Sequence, residues 1–306
     1  MAVCFGLGSM GMAISRRLRE CGHRVVAWNR SEAKSAALAA EDFPGSCLAA
    51  PSPIAALDAA GSTDLVIVCL SDTSVVERLL MEPGMHAHLE GKVVANLTSG
   101  SPDDGRSVGR LLKANVPSLG GYIDGAICGA PAKARVGQAQ LFLSSEDERT
   151  LEPHRELLSS LGRVTFSPGI GASRALDYAV VDLAFVNALS FLSNAPLLER
   201  EGVDPVLEQM KQRLETVPGF LEHCQASIEA QHSERSEDQY RKNVTASLGT
   251  WRNFWASRLP YLEQNKINSD LPRFAIAMLD KAIGDQGQHA AADVTRLQEV
   301  MFDRAQ

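Results

Sequence analysis

Gly6-Leu7-Gly8-Ser9-Met10-Gly11 has the spacing G-x-G-x-x-G. Runs of this kind bring backbone N–H groups against a pyrophosphate. Gly6 permits a tight turn, Gly8 lets the backbone approach the diphosphate, and Gly11 lets a helix pack closely on a strand. The following helix offers its free N–H groups and a partial positive charge. The short apolar run Ala2 to Phe5 precedes the glycines and a helical pattern from Met10 to Glu20 follows. That strand, loop and helix setting separates a dinucleotide site from a glycine-rich turn without a ligand. All six residues of the loop are therefore expected to bind a dinucleotide.

A second β-rich run, Arg24 to Trp28, ends in Asn29-Arg30-Ser31, with Lys34 one turn on. An NAD site usually has Asp or Glu at this strand end to bond the ribose hydroxyls. No carboxylate stands here. Arg30 can lie over the adenine and fork a 2′-phosphate, Ser31 can donate a hydrogen bond, and Lys34 adds positive charge. These residues, with Asn29, predict NADPH over NADH.

The elements that must position these groups follow one another in a regular order. Glu32 to Ala40 is Ala-rich and helical. Asp64 to Leu70, Lys92 to Leu97 and a run starting at Gly121 to Asp124 are further strands. Strands alternating with helices imply βαβ units and a parallel sheet. Near-continuous Val/Ile runs fit strands buried on both faces. After about Val164 the strand-like runs stop. From Ala172 to Glu201 the apolar positions Leu176, Val180, Leu183 and Val186 recur at three or four, the helical period. The remainder reads as helical, punctuated at Gly202, Pro205, Pro218, Pro260, Pro272 and Gly284, with a polar loop at Ser233 to Asp238. The expected architecture is α/β: a Rossmann dinucleotide-binding domain over residues 1–165, then an all-helical domain over 166–306.

Composition narrows the function classes. The 306 residues are 45% hydrophobic and 22% charged, with a net charge of −7, as in ordinary globular chains. Net acidity argues against nucleic acid, because phosphate contacts need clustered Lys and Arg. The six cysteines, Cys4, Cys21, Cys47, Cys69, Cys128 and Cys224, form no C-x-x-C pair and read as reduced thiols. No charged segment leads into a long apolar one at the N-terminus, and no uninterrupted apolar run approaches the roughly 18 residues of a membrane span. The expectation is a cytoplasmic protein without a membrane partner.

The glycine loop, Asn29-Arg30-Ser31, Cys69-Leu70-Ser71-Asp72 and Asn96-Leu97-Thr98-Ser99-Gly100 together resemble the imine reductases and reductive aminases. These are relatives of the β-hydroxyacid dehydrogenases and the 6-phosphogluconate dehydrogenases. The resemblance covers the N-terminal domain and the first helix of the second, and fades beyond about residue 205. It implies that Leu70, Ser71 and Val75 line the adenosine and ribose side, and that Asn96 and Thr98 lie near the nicotinamide ribose and the reacting centre. Cys69 is read as plain strand core. Asp124-Gly125-Ala126-Ile127-Cys128-Gly129, with Gly137 later, resembles a substrate-binding segment of the dehydrogenase branch. There Cys128 replaces a substrate-binding Ser, and a thiol is a poor donor to a carboxylate.

The same resemblance singles out the first helix of the second domain. The dehydrogenases carry a catalytic Lys there, with an Asn four residues later. Aligned at Gly171, this chain has Asp177 and Val181 instead, and Leu176-Asp177-Tyr178-Ala179 resembles the imine reductases. The chemistry agrees. Hydride addition to a ketone builds negative charge on oxygen, which Lys stabilises. Hydride addition to an iminium removes positive charge from nitrogen, and a carboxylate favours holding that cation. At about 4 Å and an effective dielectric near 20 such a pair is worth on the order of 4 kcal/mol. Alternatively, a buried Asp177 keeps its proton and donates it to a neutral imine. Asp182 is a weaker competitor on another face. Phe185 stands where many imine reductases have Tyr, and it is expected to touch substrate.

The resemblance therefore implies an NADPH-dependent reductase of C=N bonds, taking an imine or a ketone plus an amine. Asp177 and Asn96 would be its catalytic residues, and Cys128 and Phe185 would bind substrate. It also implies an interlocked homodimer joined through the helix near residues 172 to 200. The rivals are a carbonyl or hydroxyacid reductase and an NADPH-binding protein without turnover. Trp251, Phe254 and Trp255 read as core or dimer packing before a substrate wall, and Tyr240 is equally open. His86 and His88 are too isolated for a metal. Asn243-Val244-Thr245 fits a glycosylation sequon but carries little weight without secretion.

Overall fold

The computed structural model describes residues 1–61, 64–202 and 247–284, with Glu222, Gly287, His289, Ala290, Ala292 and Leu297 besides. Cys224, Tyr240, the sequon at Asn243 and the expected loop at Ser233 to Asp238 lie outside the described residues. The chain divides into two compact units, Met1–Ala184 and Phe185–Gln306.

The first unit is built on an eight-stranded sheet ordered β3-β2-β1-β4-β5-β6-β7-β8. The strands are β1 (Ala2–Phe5), β2 (Val25–Trp28), β3 (Cys47–Ala49), β4 (Leu65–Val68), β5 (Val93–Asn96), β6 (Gly121–Cys128), β7 (Ala139–Ser145) and β8 (Gly162–Pro168). The helices between them are α1 (Ser9–Glu20), α2 (Glu32–Ala40), α3 (Pro53–Asp58), α4 (Thr73–Leu80), α5 (Met85–Leu89), α6 (Pro102–Asn115), α7 (Pro131–Arg135) and α8 (Arg155–Ser159). Because successive strand residues point to opposite faces, Ala2 and Cys4 enter a core shared with Ile14, Leu18 and Leu38. Val3 and Phe5 enter a second core with Leu57, Val76, Leu80 and Leu112. The sheet is covered on both sides, as the apolar runs predict.

The Rossmann expectation holds, with corrections. β3, β7 and β8 have no counterpart in the sequence reading, and β6 continues past Asp124 to Cys128. The sheet is not wholly parallel either, since β7 runs antiparallel to β6. The physical reason is weak signal. β3 has three residues and β8 is a half-buried strand at the sheet end, so neither shows a buried Val/Ile run. Strand structure continues to Pro168, beyond Val164, and the first unit extends past residue 165 to Ala184.

Helix α9 (Ala172–Arg200) carries Asp177. Among the described residues it is the one helix long and apolar enough, by length and composition, to cross a membrane. It has no uninterrupted apolar run, since Asp177, Asp182 and Asn187 break it. In the second unit, α10 (Leu248–Gln264) and α11 (Asp270–Ile283) bury Leu248, Leu279, Ala282 and Ile283 against Trp251 and Trp255. Pro260 lies inside α10 and does not end it, a correction to its reading as punctuation. A proline inside a helix removes one backbone bond and can kink the helix without stopping it.

Candidate active site and cofactor cleft

β1 pairs with β2 on one side and β4 on the other, so Phe5 stands level with Trp28 and Val68. The loops leaving these three strands therefore meet at one sheet edge, where ligands bind in open α/β sheets. They enclose a cleft of about 540 Å3. Gly6, Gly8, Ser9, Met10 and Gly11 line it, as do Asn29, Arg30, Ser31 and Lys34, and Leu70, Ser71 and Val75. Twelve of the residues expected to hold a dinucleotide are thus brought together.

The glycines have distinct reasons. Gly6 has φ +93°, and a Cβ there would meet the Cys69 carbonyl at 2.2 Å. A Cβ on Gly11 would meet the Gly6 carbonyl at 2.0 Å, so strand and helix approach only because both are glycine. Gly8 differs: a Cβ would meet nothing within 4 Å. No side chain caps α1, so its N-terminal N–H groups face the cleft side of that loop, the arrangement that receives a phosphate. Leu7 is buried, and its N–H donates to Asn29 Oδ1 at 2.8 Å. Asn29 thereby ties the glycine loop to the basic turn.

Five further residues line the cleft: Trp28, Cys69, Arg78, Leu79 and Glu82. Val75, Arg78 and Glu82 recur at helical spacing, so one face of α4 and its exit forms a wall. That spacing was present in the sequence but had no partner until β4 was placed beside β1. Arg30, Lys34 and Arg78 form no salt bridge among the described residues. The reading of Cys69 as plain strand core is corrected, because it follows β4 and borders the cleft. Burial pushes its thiol up to about 11, so it remains protonated.

Asn96 and Thr98 stand behind the cleft, not on its surface. Both are fully buried. Asn96 Oδ1 accepts from the Thr98 N–H at 3.1 Å, and its amide donates to Tyr122 Oη at 3.4 Å. Thr98 Oγ1 accepts from the Leu70 N–H at 3.0 Å. The pair shapes the Leu70 loop, and neither residue lines the cleft. Their polar atoms are engaged by one another, by Leu70 and by Tyr122.

Asp177 is half-buried, and its Oδ1 is enclosed without a hydrogen-bond partner. Burial raises its carboxyl above the usual range, while the positive charge of Arg174 pulls it down. Cys128 ends β6 close enough for the Asp177 charge to add to burial in raising its thiol. The fold thus places a carboxylate and a thiol 49 positions apart in one neighbourhood. Phe185 and Asp182 are exposed. Phe185 belongs to the second compact unit. In that unit Trp251 and Trp255 pack on the helical core while Phe254 is exposed, with the Arg258 guanidinium over the rings of Phe254 and Trp255. No group of three metal-ligating side chains occurs among the described residues. His88 pairs with Asp58 instead.

Residues 2–171 match the family described as the NAD binding domain of 6-phosphogluconate dehydrogenase. The chain belongs to this family. Beyond the family's domain, it is 25% identical over 301 residues to an NADPH-dependent reductive aminase of Aspergillus oryzae, covering 96% of this chain and 95% of that one. Its fold matches an imine reductase from Bacillus cereus with a TM-score of 0.79 at 24% identity, over 98% of both chains. It also matches a reductive aminase from Aspergillus terreus, solved with NADPH and ethyl levulinate. There the TM-score is 0.78 at 22% identity, over 98% of this chain and 99% of that one.

Proposed function

We propose that this protein is an NADPH-dependent oxidoreductase that reduces C=N bonds, as an imine reductase or reductive aminase. The observation that carries the reading is Asp177: a half-buried carboxyl with an unpartnered oxygen, beside Cys128, on the helix where the dehydrogenase branch has Lys. The relatives named above support the same chemistry. NADPH, when bound, supplies the hydride. The residues present fit it: an uncapped helix terminus behind Gly8 for the pyrophosphate, and Arg30, Ser31 and Lys34 for the adenosine 2′-phosphate.

Asp177 then acts in one of two protonation states. As carboxylate it holds a cationic iminium; as the neutral acid it donates a proton to an imine. The raised carboxyl supports a group poised between these roles. Asn96 contributes by holding the Leu70 loop through Thr98. Cys128 and Phe185 are substrate contacts in this reading, and residues 166–306 supply the helical substrate-binding and dimerisation region. Exposed apolar side chains along α9, including Val181, Phe185, Val186, Leu189 and Leu192, support a homodimer in which a second copy covers that helix. A cytoplasmic location completes the proposal.

NADPH consumption should be measured with cyclic imines, with ketone plus amine, and with small β-hydroxy or β-keto acids. Turnover with the first two sets is expected, and Asp177→Ala should lower it by at least 100-fold, the lower end of a typical general acid's contribution of about 10²–10⁴. Turnover confined to the acids overturns the reading in favour of a hydroxyacid reductase. NADPH binding without turnover on any set would leave a binding protein.

A further inference from the structure

Asp124 is the centre of a buried polar cluster that the reaction as described does not use. It has no solvent exposure, and it lies on β6, four residues before Cys128. Its Oδ2 accepts from the Gly171 N–H and from Ser173 Oγ, each at 3.2 Å. Its Oδ1 accepts from Tyr122 Oη at 3.2 Å and from Arg174 Nε at 2.8 Å. Three of these four donors belong to the turn that opens α9. The carboxylate therefore pins the start of the helix on which Asp177 sits, one turn further on.

Arg174 is the other half of the cluster. It is 1% exposed, and its two terminal nitrogens have no hydrogen-bond partner. A guanidinium stays charged in a protein. Buried here, it needs Asp124 as its counter-charge, and its remaining field falls on nearby groups. Asp104 on α6 is one of them and Asp177 is another. Among the described residues, the charged and titratable groups bearing on Asp177 are Arg174 from its own helix and the Cys128 thiol from β6.

We propose that Arg174, clamped by Asp124, is a positioning residue for Asp177 whose buried charge sets the pH range over which Asp177 carries its own. The inference rests on the assignment of Asp177 made above. It has a sign that does not depend on which protonation state reacts. Removing the Arg174 charge makes Asp177 hold its proton to higher pH. Removing the Asp124 charge leaves Arg174 uncompensated, so Asp177 loses its proton at lower pH.

The test is the pH profile of kcat/KM for a cyclic imine with NADPH, in the full-length protein. The substrate's own titration is common to every variant, so differences belong to the protein. Thermal unfolding of each variant establishes that it is folded. Arg174→Gln should move the limb assigned to Asp177 to higher pH, Asp124→Asn should move it to lower pH, and Arg174→Lys should leave it near the native position. Asp177→Asn should abolish it. If Asp177→Asn leaves the limb in place, the assignment of Asp177 falls and the proposal falls with it. If Asp177→Asn removes the limb but either folded variant, Arg174→Gln or Asp124→Asn, leaves it unmoved, the proposal is overturned while the role of Asp177 stands.

Discussion

Gly8 offers a clean way to separate binding from folding. Its φ of −68° is ordinary, and its absent Cβ faces open space. Gly8→Ala should therefore leave the unfolding midpoint unchanged and weaken NADPH binding by tenfold or more, about 1.4 kcal/mol, as titrated by nucleotide fluorescence. Unaltered affinity would mean that the loop does not cradle the pyrophosphate. The glycine spacing was legible in the sequence because it serves a local purpose, one strand meeting one helix. Arg30 and Lys34 were legible for the same reason, being a turn from a recognisable strand end. Asn96 was placed at the reacting centre by analogy. Its bond with the Thr98 N–H is local, but its contact with Tyr122 depends on the neighbouring strand β6 and could not be read from its own segment.

Helix α6 shows how much a single element depends on its first turn. Ser101 Oγ accepts from the Asp104 N–H at 3.2 Å, and Asp104 Oδ2 accepts from the Ser101 N–H at 2.7 Å. This reciprocal cap satisfies two N–H groups that would otherwise lack partners. Ser101→Ala should cost about 1 kcal/mol of stability, measured by denaturant unfolding. Bonds from Ser101 hold the Asp104 carboxyl below its ordinary value. Its contribution is therefore present above the unfolded value, about 3.9, and is lost as pH falls through the lower folded one. The deficit of Asp104→Asn should accordingly be full at neutral pH and shrink below about pH 4. Elements with strong local signals, such as β1 and α2, agree with the sequence reading residue for residue. β3 and β8 do not, because one has three residues and the other is half-buried, so each acquires strand structure from the strands beside it; β7 does not either, although its run is buried almost throughout.

The assembly is where α9 has most to decide. Phe185 is 62% and Leu192 64% exposed in one chain, and exposed apolar patches of large side chains mark interaction surfaces. Leu192→Glu should lower the sedimentation mass from that of a dimer to that of one 32.9 kDa chain, with NADPH binding retained. A native protein that sediments as a monomer would overturn the homodimer proposal. What local spacing pointed to was the glycine loop, the basic turn after β2 and the alternation of strands and helices, because each depends on residues within a turn or two of one another. What the folded chain decided was the company those residues keep. β4 beside β1 puts Arg78 and Glu82 on the cleft wall. β6 against the start of α9 brings Asp124 to Arg174 and Cys128 to Asp177. Those meetings join residues some 50 positions apart, and only the order of strands in the sheet and the burial of charge between them determine which partners meet.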